Sequence, residues 1–330
     1  MKRATAYANA NIALVKYWGK NDSEFNVPAV PSLSMTLNDL GTTVTVTASS
    51  TKEHALLING HEAPALAQHR LGHFFGLVNK LYPSDGFFKI SSASTIPYAA
   101  GLASSASFFA ALSLALSNFL ELGLDNKELS KLARIGSASA ARSIFCGFAA
   151  LNGGMAIDHD GAFAFPLNVH PELDAVMLIA MINTAAKGVS SRDAMNHTQR
   201  TSPFFHALVE TQEQDFNDVI RALENGCFEQ LGIIMEQSTL KMFATMWTAQ
   251  PAINYWHPGT ISLLNFIYQL RQKYGPHAYF TMDAGPNVKI LCRRTYLPIL
   301  ISELQCCELG IQFVTTEPGK GAFRLDTHLS

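Results

Sequence analysis

Residues 103–121, ASSASFFAALSLALSNFLE, constrain the fold most, because a helix with these side chains is apolar nearly all round. Such a helix has no face to offer water, so other elements must enclose it. The chain is long enough to do so. Its 330 residues, 48% hydrophobic and 15% charged, suggest one large or two ordinary domains with ample core. That balance is globular rather than disordered.

The enclosing elements can be read on either side. SLSMTL (32–37) and TTVTVTAS (42–49) alternate with period two and are rich in residues that suit strands. Asn59-Gly60 within 55–63 is a hairpin signal. A helix is expected over 64–81 and a strand over 86–94, and one or two helices over 126–145. AVMLIAMIN (175–183) is short and apolar enough for an interior strand. Helices follow near 203–224, 226–245 and 260–274, then strands near 277–283 and 287–292. A helix near 297–308 and a strand over 311–316 complete the pattern. This mixture is α+β, without regular βαβ alternation or a repeat period. The soft boundary near 170–185 divides the chain into 1–180 and 181–330.

Composition excludes some partners. A net charge of −2 argues against nucleic acid as the main partner, since backbone binding needs a basic face. No apolar run approaches the roughly 18 residues of a spanning helix. The opening segment is broken by Asn9, Asn11 and Lys16, so a signal peptide is not expected. Cys146, Cys227, Cys292, Cys306 and Cys307 form no CxxC, which suggests reduced thiols in a cytoplasmic protein.

Just before the apolar helix stands STIPYAAGLASSAS (94–107). Backbone N–H groups can cradle phosphate where no bulky side chain intervenes and a helix N-terminus adds positive dipole. Ala99, Ala100, Gly101, Leu102, Ala103, Ser104, Ser105 and Ala106 meet those needs, but they equally suit a packed helix start with serine caps. No GxxxxGK[ST] and no GxGxxG occurs, so the common nucleotide fingerprints are missing.

Three other segments bear on the choice. In NIALVKYWGK (11–20), Lys16 and Lys20 flank Tyr17, Trp18 and Gly19, as a site wall or as snorkelling surface lysines. In IGSASAARSIFCGF (135–148), Arg142 stands alone in an apolar run, as an anion ligand or a buried ion-pair partner. In YFTMDAGPNVKIL (279–291), Asp283 ends a strand-like run at a tight turn, where catalytic carboxylates and turn caps both occur.

Together with PSLSMTL (31–37), AAGLASSAS (99–107) and GVSSRDAM (188–195), these segments resemble the mevalonate diphosphate decarboxylase family of the GHMP kinase superfamily. They run in family order over most of the chain. The small-residue loop alone marks the superfamily; KYWGK, SSR and DAGPN together mark the decarboxylases. The resemblance implies an N-terminal α/β part with a left-handed βαβ crossover and a ferredoxin-like C-terminal part. It implies ATP-dependent phosphorylation of the 3-hydroxyl of mevalonate 5-diphosphate, then loss of phosphate and CO2 to give isopentenyl diphosphate. ATP and Mg²⁺ are the implied cofactors, and a homodimer is the implied assembly, with neither membrane nor nucleic acid as partner.

Carried over residue by residue, the resemblance makes Asp283, Lys20 and Arg142 catalytic, with Asp283 near the 3-hydroxyl. Asn11, Tyr17, Lys20, Ser137, Ser139, Arg142, Ser191 and Arg192 would bind substrate, Asn11 by supporting the Arg142 guanidinium. Residues 99–106 would cradle ATP phosphates, leaving open whether Ser104 or Ser105 faces the metal. Three positions depart from the family: Ala138 for Gly, Ala141 for Cys and Tyr98 for Thr. Readings within the same fold are a kinase that stops at phosphorylation and a decarboxylase of the 5-monophosphate. A non-catalytic metabolite-binding module is a further one. His69 and His73 in HRLGH (69–73) have metal-compatible spacing but no third ligand nearby, and are expected as ordinary helix-surface residues.

Overall fold

The computed structural model describes residues 2–97, 104–182, 188–307 and 310–329. In chain order come β1 (Arg3–Val15), β2 (Lys20–Asp22), β3 (Val27–Pro28), β4 (Ser32–Ala48), β5 (Ala55–Ile58) and β6 (His61–Glu62). Next are α1 (Ala65–Leu81), β7 (Phe88–Ser94), α2 (Ser104–Leu120), α3 (Asn126–Gly136), a 3-10 turn (Ala138–Ile144), β8 (Phe148–Leu151) and β9 (Ala164–Pro166). The second half holds β10 (Ala175–Met181), α4 (Ser191–Thr201), α5 (Phe205–Glu224), α6 (Phe228–Trp247) and α7 (Pro258–Tyr274). It ends with β11 (Ala278–Met282), β12 (Val288–Arg293), α8 (Leu297–Cys306), β13 (Gln312–Thr316) and β14 (Phe323–Leu325).

The first sheet runs β14-β1-β4-β7-β5-β6, with β8 and β9 joined to the other end of β4. Its pairs are antiparallel except β5 and β7, which lie parallel with α1 crossing between them. The hairpin expected at Asn59-Gly60 forms between β5 and β6, both turn residues having positive φ (51° and 81°) as a type I′ turn demands. The two strands read at 32–37 and 42–49 are one strand, β4. The chain passes through Asn38-Asp39-Leu40-Gly41 without turning back, Asp39 adopting φ 58° where the pairing with β1 slips register. A local bulge thus replaces the turn that this composition suggests.

The all-apolar segment becomes α2, packed on β1 and β4. Small side chains (Ala106, Ala110, Ala115) let its backbone approach the sheet, while Leu112 and Leu116 are fully buried. Close fit recurs where α3 crosses it: a Cβ on Gly136 would lie 2.0 Å from Cδ1 of the buried Phe109 ring. Gly136→Ala is therefore expected to destabilise by about 1–3 kcal/mol through overpacking. Urea unfolding should show a lower midpoint with an unchanged m-value.

The second sheet is antiparallel, in the order β11-β12-β10-β13. Numbered within this unit, that is second-third-first-fourth, with helices between its first and second strands and between its third and fourth. This is the ferredoxin-like pattern that the resemblance implies. The two units are tied at the end of β1: the Lys16 N–H donates to Ser238 Oγ (2.9 Å), and Gln212 Nε2 donates to the Lys16 carbonyl (2.7 Å).

Candidate active site

Two sheets deliver charged groups to this seam. Asp283 follows β11, and its carboxylate is held from both sides. Lys16 Nζ, just past the end of β1, lies 3.3 Å from Oδ1, and Lys289 Nζ on β12 lies 3.2 Å from Oδ2. Both lysine side chains are 2% exposed, whereas the carboxylate is 26% exposed, so of the three groups it is the acid that reaches solvent. Burial brings Lys16 down to about 8, against the opposing pull of Asp283 and with the repulsion of Lys289 and Arg142.

The edge strand β11 that carries Asp283 is braced from behind. The buried Glu236 accepts the N–H of Phe280 (2.9 Å) and two hydrogen bonds from Arg271 Nη2 (2.9 and 3.0 Å). Thr281 Oγ1 donates to the Ala13 carbonyl (3.3 Å), joining the strand to β1. The turn after Asp283 is fastened to β10, Asn287 Oδ1 accepting the N–H of Ile182 at 2.9 Å.

Arg142 is buried in the 3-10 turn and aimed at β4, its Nε donating to Ser34 Oγ (2.9 Å) and its Nη1 to Ser32 Oγ. Burial lowers it to about 10, and it lies within electrostatic reach of both Asp283 and Tyr17. The Tyr17 hydroxyl is buried without a hydrogen-bond partner among the described residues, and burial pushes its pKa up while Arg134, Arg192 and Arg142 oppose the rise. Asn11 does not support the guanidinium as expected. Its Nδ2 donates to the Ser139 carbonyl (2.9 Å) and Ser143 Oγ (2.7 Å), clasping the turn that carries Arg142.

At the other end stand Lys20, Arg70 and Arg192. Lys20 Nζ donates to Asn26 Oδ1 (2.8 Å), and burial, reinforced by Arg192 and Arg70, lowers it to about 8. Burial and then Arg192 also lower Arg70. Among the described residues none of the three forms an ion pair. Arg70 and Arg192 line a pocket of about 120 Å³ with Asn26, His69 and His73. Two arginines at a small pocket, with Lys20 bonded to Asn26 of its wall, suit a polyanion.

A groove of about 210 Å³ adjoins that pocket through Arg70, walled by Leu56, Ile58 and Phe108 and by the Ser104 and Ser105 hydroxyls. Ser105 Oγ lies 3.2 Å from Ser137 Oγ, which lies 3.1 Å from Ser139 Oγ. Hydroxyls thus run from the head of α2 to the Arg142 turn.

A family profile described as Diphosphomevalonate decarboxylase-like N-terminal domain matches residues 8–163. A second, Mevalonate 5-diphosphate decarboxylase C-terminal domain, matches residues 177–316. The chain belongs to the mevalonate diphosphate decarboxylase family. Diphosphomevalonate decarboxylase of Candida albicans is 34% identical over 308 residues, 88% of this chain and 84% of that protein. The structure of the enzyme from Enterococcus faecalis superposes with a TM-score of 0.91 at 38% identity, covering 98% of this chain and 99% of the other. MDDEF in complex with MVAPP, AMPPCP and magnesium gives a TM-score of 0.92 at 38% identity over the same shares.

Within this family frame the sequence expectations divide. Asp283 and Arg142 come together, and Tyr17 links them to Arg192 and so to Lys20. Ser191 and Arg192 stand exposed at the start of α4, where Ser190 rather than Ser191 caps the helix, accepting the Asp193 N–H at 3.1 Å. Ala138 and Ala141 are buried without positive φ, so alanine fits where the family has Gly and Cys. Ala99, Ala100, Gly101, Leu102, Ala103 and Tyr98 lie outside the described residues. His69 and His73 are exposed on α1 as expected, yet line the cationic pocket. Sequence reasoning missed Lys16 and Lys289 at the carboxylate and Arg70 at the anion pocket. A lysine two residues from the Asn of DAGPN was the one local signal for Lys289.

Proposed function

We propose that this crevice performs ATP-dependent decarboxylation of mevalonate 5-diphosphate with the following assignment of roles. Lys20, Arg70 and Arg192 hold the diphosphate. Tyr17, Ser137, Ser139 and Arg142 hold the middle of the substrate and its carboxylate. Asp283 faces the 3-hydroxyl, and the groove at the head of α2 takes ATP. The observation that carries this reading is the carboxylate fixed between two ammonium groups at one end of a run of cations that lack carboxylate partners among the described residues.

The 3-hydroxyl oxygen attacks the γ-phosphorus of ATP, ADP leaves, and Asp283 orients the alcohol and accepts its proton. The C3–O bond then breaks with its electron pair on phosphate. The pair of the C1–C2 bond becomes the C2–C3 double bond as CO2 departs. Positive charge builds briefly at C3, while fixed cations hold the diphosphate away from that centre. A Ser104 or Ser105 hydroxyl in the groove at the head of α2 would hold Mg²⁺ beside the nucleotide phosphates. When bound, the ion neutralises phosphate charge.

Product analysis tests the reading. ATP is supplied with mevalonate, its 5-phosphate or its 5-diphosphate, and ADP and CO2 are followed. Equal yields of both from the diphosphate alone are expected. ADP without CO2 would mean a kinase, and preference for the monophosphate would move the substrate assignment. Binding without turnover would leave only a metabolite-binding module.

The pH dependence has a defined sign. Lys16 and Lys20 each lose a proton near pH 8, so log kcat/KM should fall above it with a slope approaching two. Bound diphosphate favours the charged form of Lys20, so in kcat the fall above pH 8 should flatten to a slope near one, that of Lys16 alone. Rate measurements from pH 6 to 10 check both.

The division into 1–180 and 181–330 and a cytoplasmic homodimer complete the proposal. Sedimentation equilibrium should return twice the chain mass.

A further inference from the structure

We propose that Lys289 is a positioning residue that fixes the plane of the Asp283 carboxylate by holding the oxygen that Lys16 does not reach. The inference rests on the assignment of Asp283 to the substrate hydroxyl. Lys289 lies opposite Thr281 in the β11–β12 register, so the two side chains share one face of the sheet. Thr281 Oγ1 reaches the Ala13 carbonyl of β1, and Lys16 Nζ donates to that same carbonyl at 2.8 Å. Both ammonium groups therefore approach the carboxylate from the β1 side, one on each oxygen.

A carboxylate held at one oxygen still turns about its Cβ–Cγ bond. Held at both, it presents a fixed edge to the crevice. Lys289 is 1% exposed, and its ammonium also reaches the Asn287 carbonyl at 3.4 Å. Burying an ammonium group is expensive, and removing one partner of a buried pair costs stability where it strands the other charge, but the Asp283 carboxylate is 26% exposed and pairs with Lys16 as well. Asp283 keeps Lys16 when Lys289 is removed, so the variant should fold.

The charged groups around this carboxylate among the described residues are Lys16 from the end of β1, Lys289 from β12 and, further off, Arg142 from the 3-10 turn. Removing the Lys289 charge lets Asp283 keep its proton to higher pH. It also relieves Lys16 of a repelling neighbour, so Lys16 keeps its proton to higher pH as well. Both limbs of the kcat profile should move upward together.

Lys289→Met and Lys289→Arg test this with ATP and mevalonate 5-diphosphate. Lys289→Met is expected to lower kcat roughly 10- to 100-fold, the scale of a misplaced reacting group. KM for both substrates should stay within about threefold of wild type, since neither touches Lys289. Its melting temperature should stay close to that of wild type, and both kcat limbs should shift up. Lys289→Arg should restore much of kcat and return the limbs. Unmoved limbs with a lowered melting temperature would make Lys289 structural and overturn the inference, as would wild-type kcat in Lys289→Met. Failure of the wild type to release CO2 from the diphosphate would instead overturn the substrate assignment itself.

Discussion

Asp283→Asn is expected to lower kcat by roughly 10²–10⁴-fold, the range set by loss of a positioned proton acceptor. The amide keeps the size of the carboxylate but removes its charge. It leaves Lys16 and Lys289, two buried ammonium groups, without their shared counter-ion. Diphosphate affinity should change little, because Lys20, Arg70 and Arg192 form a separate group. Equilibrium binding of mevalonate 5-diphosphate beside single-turnover ADP formation separates the two effects. Turnover within a few-fold of wild type would remove Asp283 from the reaction.

Arg192→Ala should act at the opposite end. Loss of charge-assisted hydrogen bonds to a phosphate, each worth about 1.5–3 kcal/mol, implies a KM for the diphosphate raised roughly 10- to 150-fold. The effect on kcat should be smaller. A second signature follows from the repulsion among these cations. Without Arg192, Lys20 keeps its proton to higher pH, so the basic limb of kcat/KM should move upward even as the rate falls. A KM within threefold of wild type would place the phosphates elsewhere.

The parts of this molecule legible in its sequence are those set by local pattern. The burial of α2 follows from side chains that leave no polar face, and the β5–β6 turn follows from Asn59-Gly60. α4 escaped notice because SRDAMNHTQRT is polar on most of its surface, with only Ala194, Met195 and Thr198 buried. β8 and β14 are short and exist through pairing with distant strands, and β9 exists through pairing with β8. The site divides in the same way. Asp283 stands at a recognisable strand end, but its partners Lys16 and Lys289 come from two sheets, Lys16 from 267 residues away. Alone, Lys16 reads as one of two lysines flanking an aromatic pair, and neither spacing nor composition tells which of them meets an acid. Arg70 was hidden for a similar reason: on α1 it is one polar residue among several, and only the fold turns it toward Arg192.

The pairing of β14 with β1 has a consequence for biogenesis. Thr5, Ala6 and Tyr7 bond on one side to β4, but on the other to Phe323, Arg324 and Leu325. A nascent chain can assemble the α2 layer early, yet the outer edge of β1 stays open until residues 323–325 have been translated. An unpaired edge invites association with other chains. Ribosome stalling before residue 323 would therefore release a species with a formed α2 layer and one adhesive border.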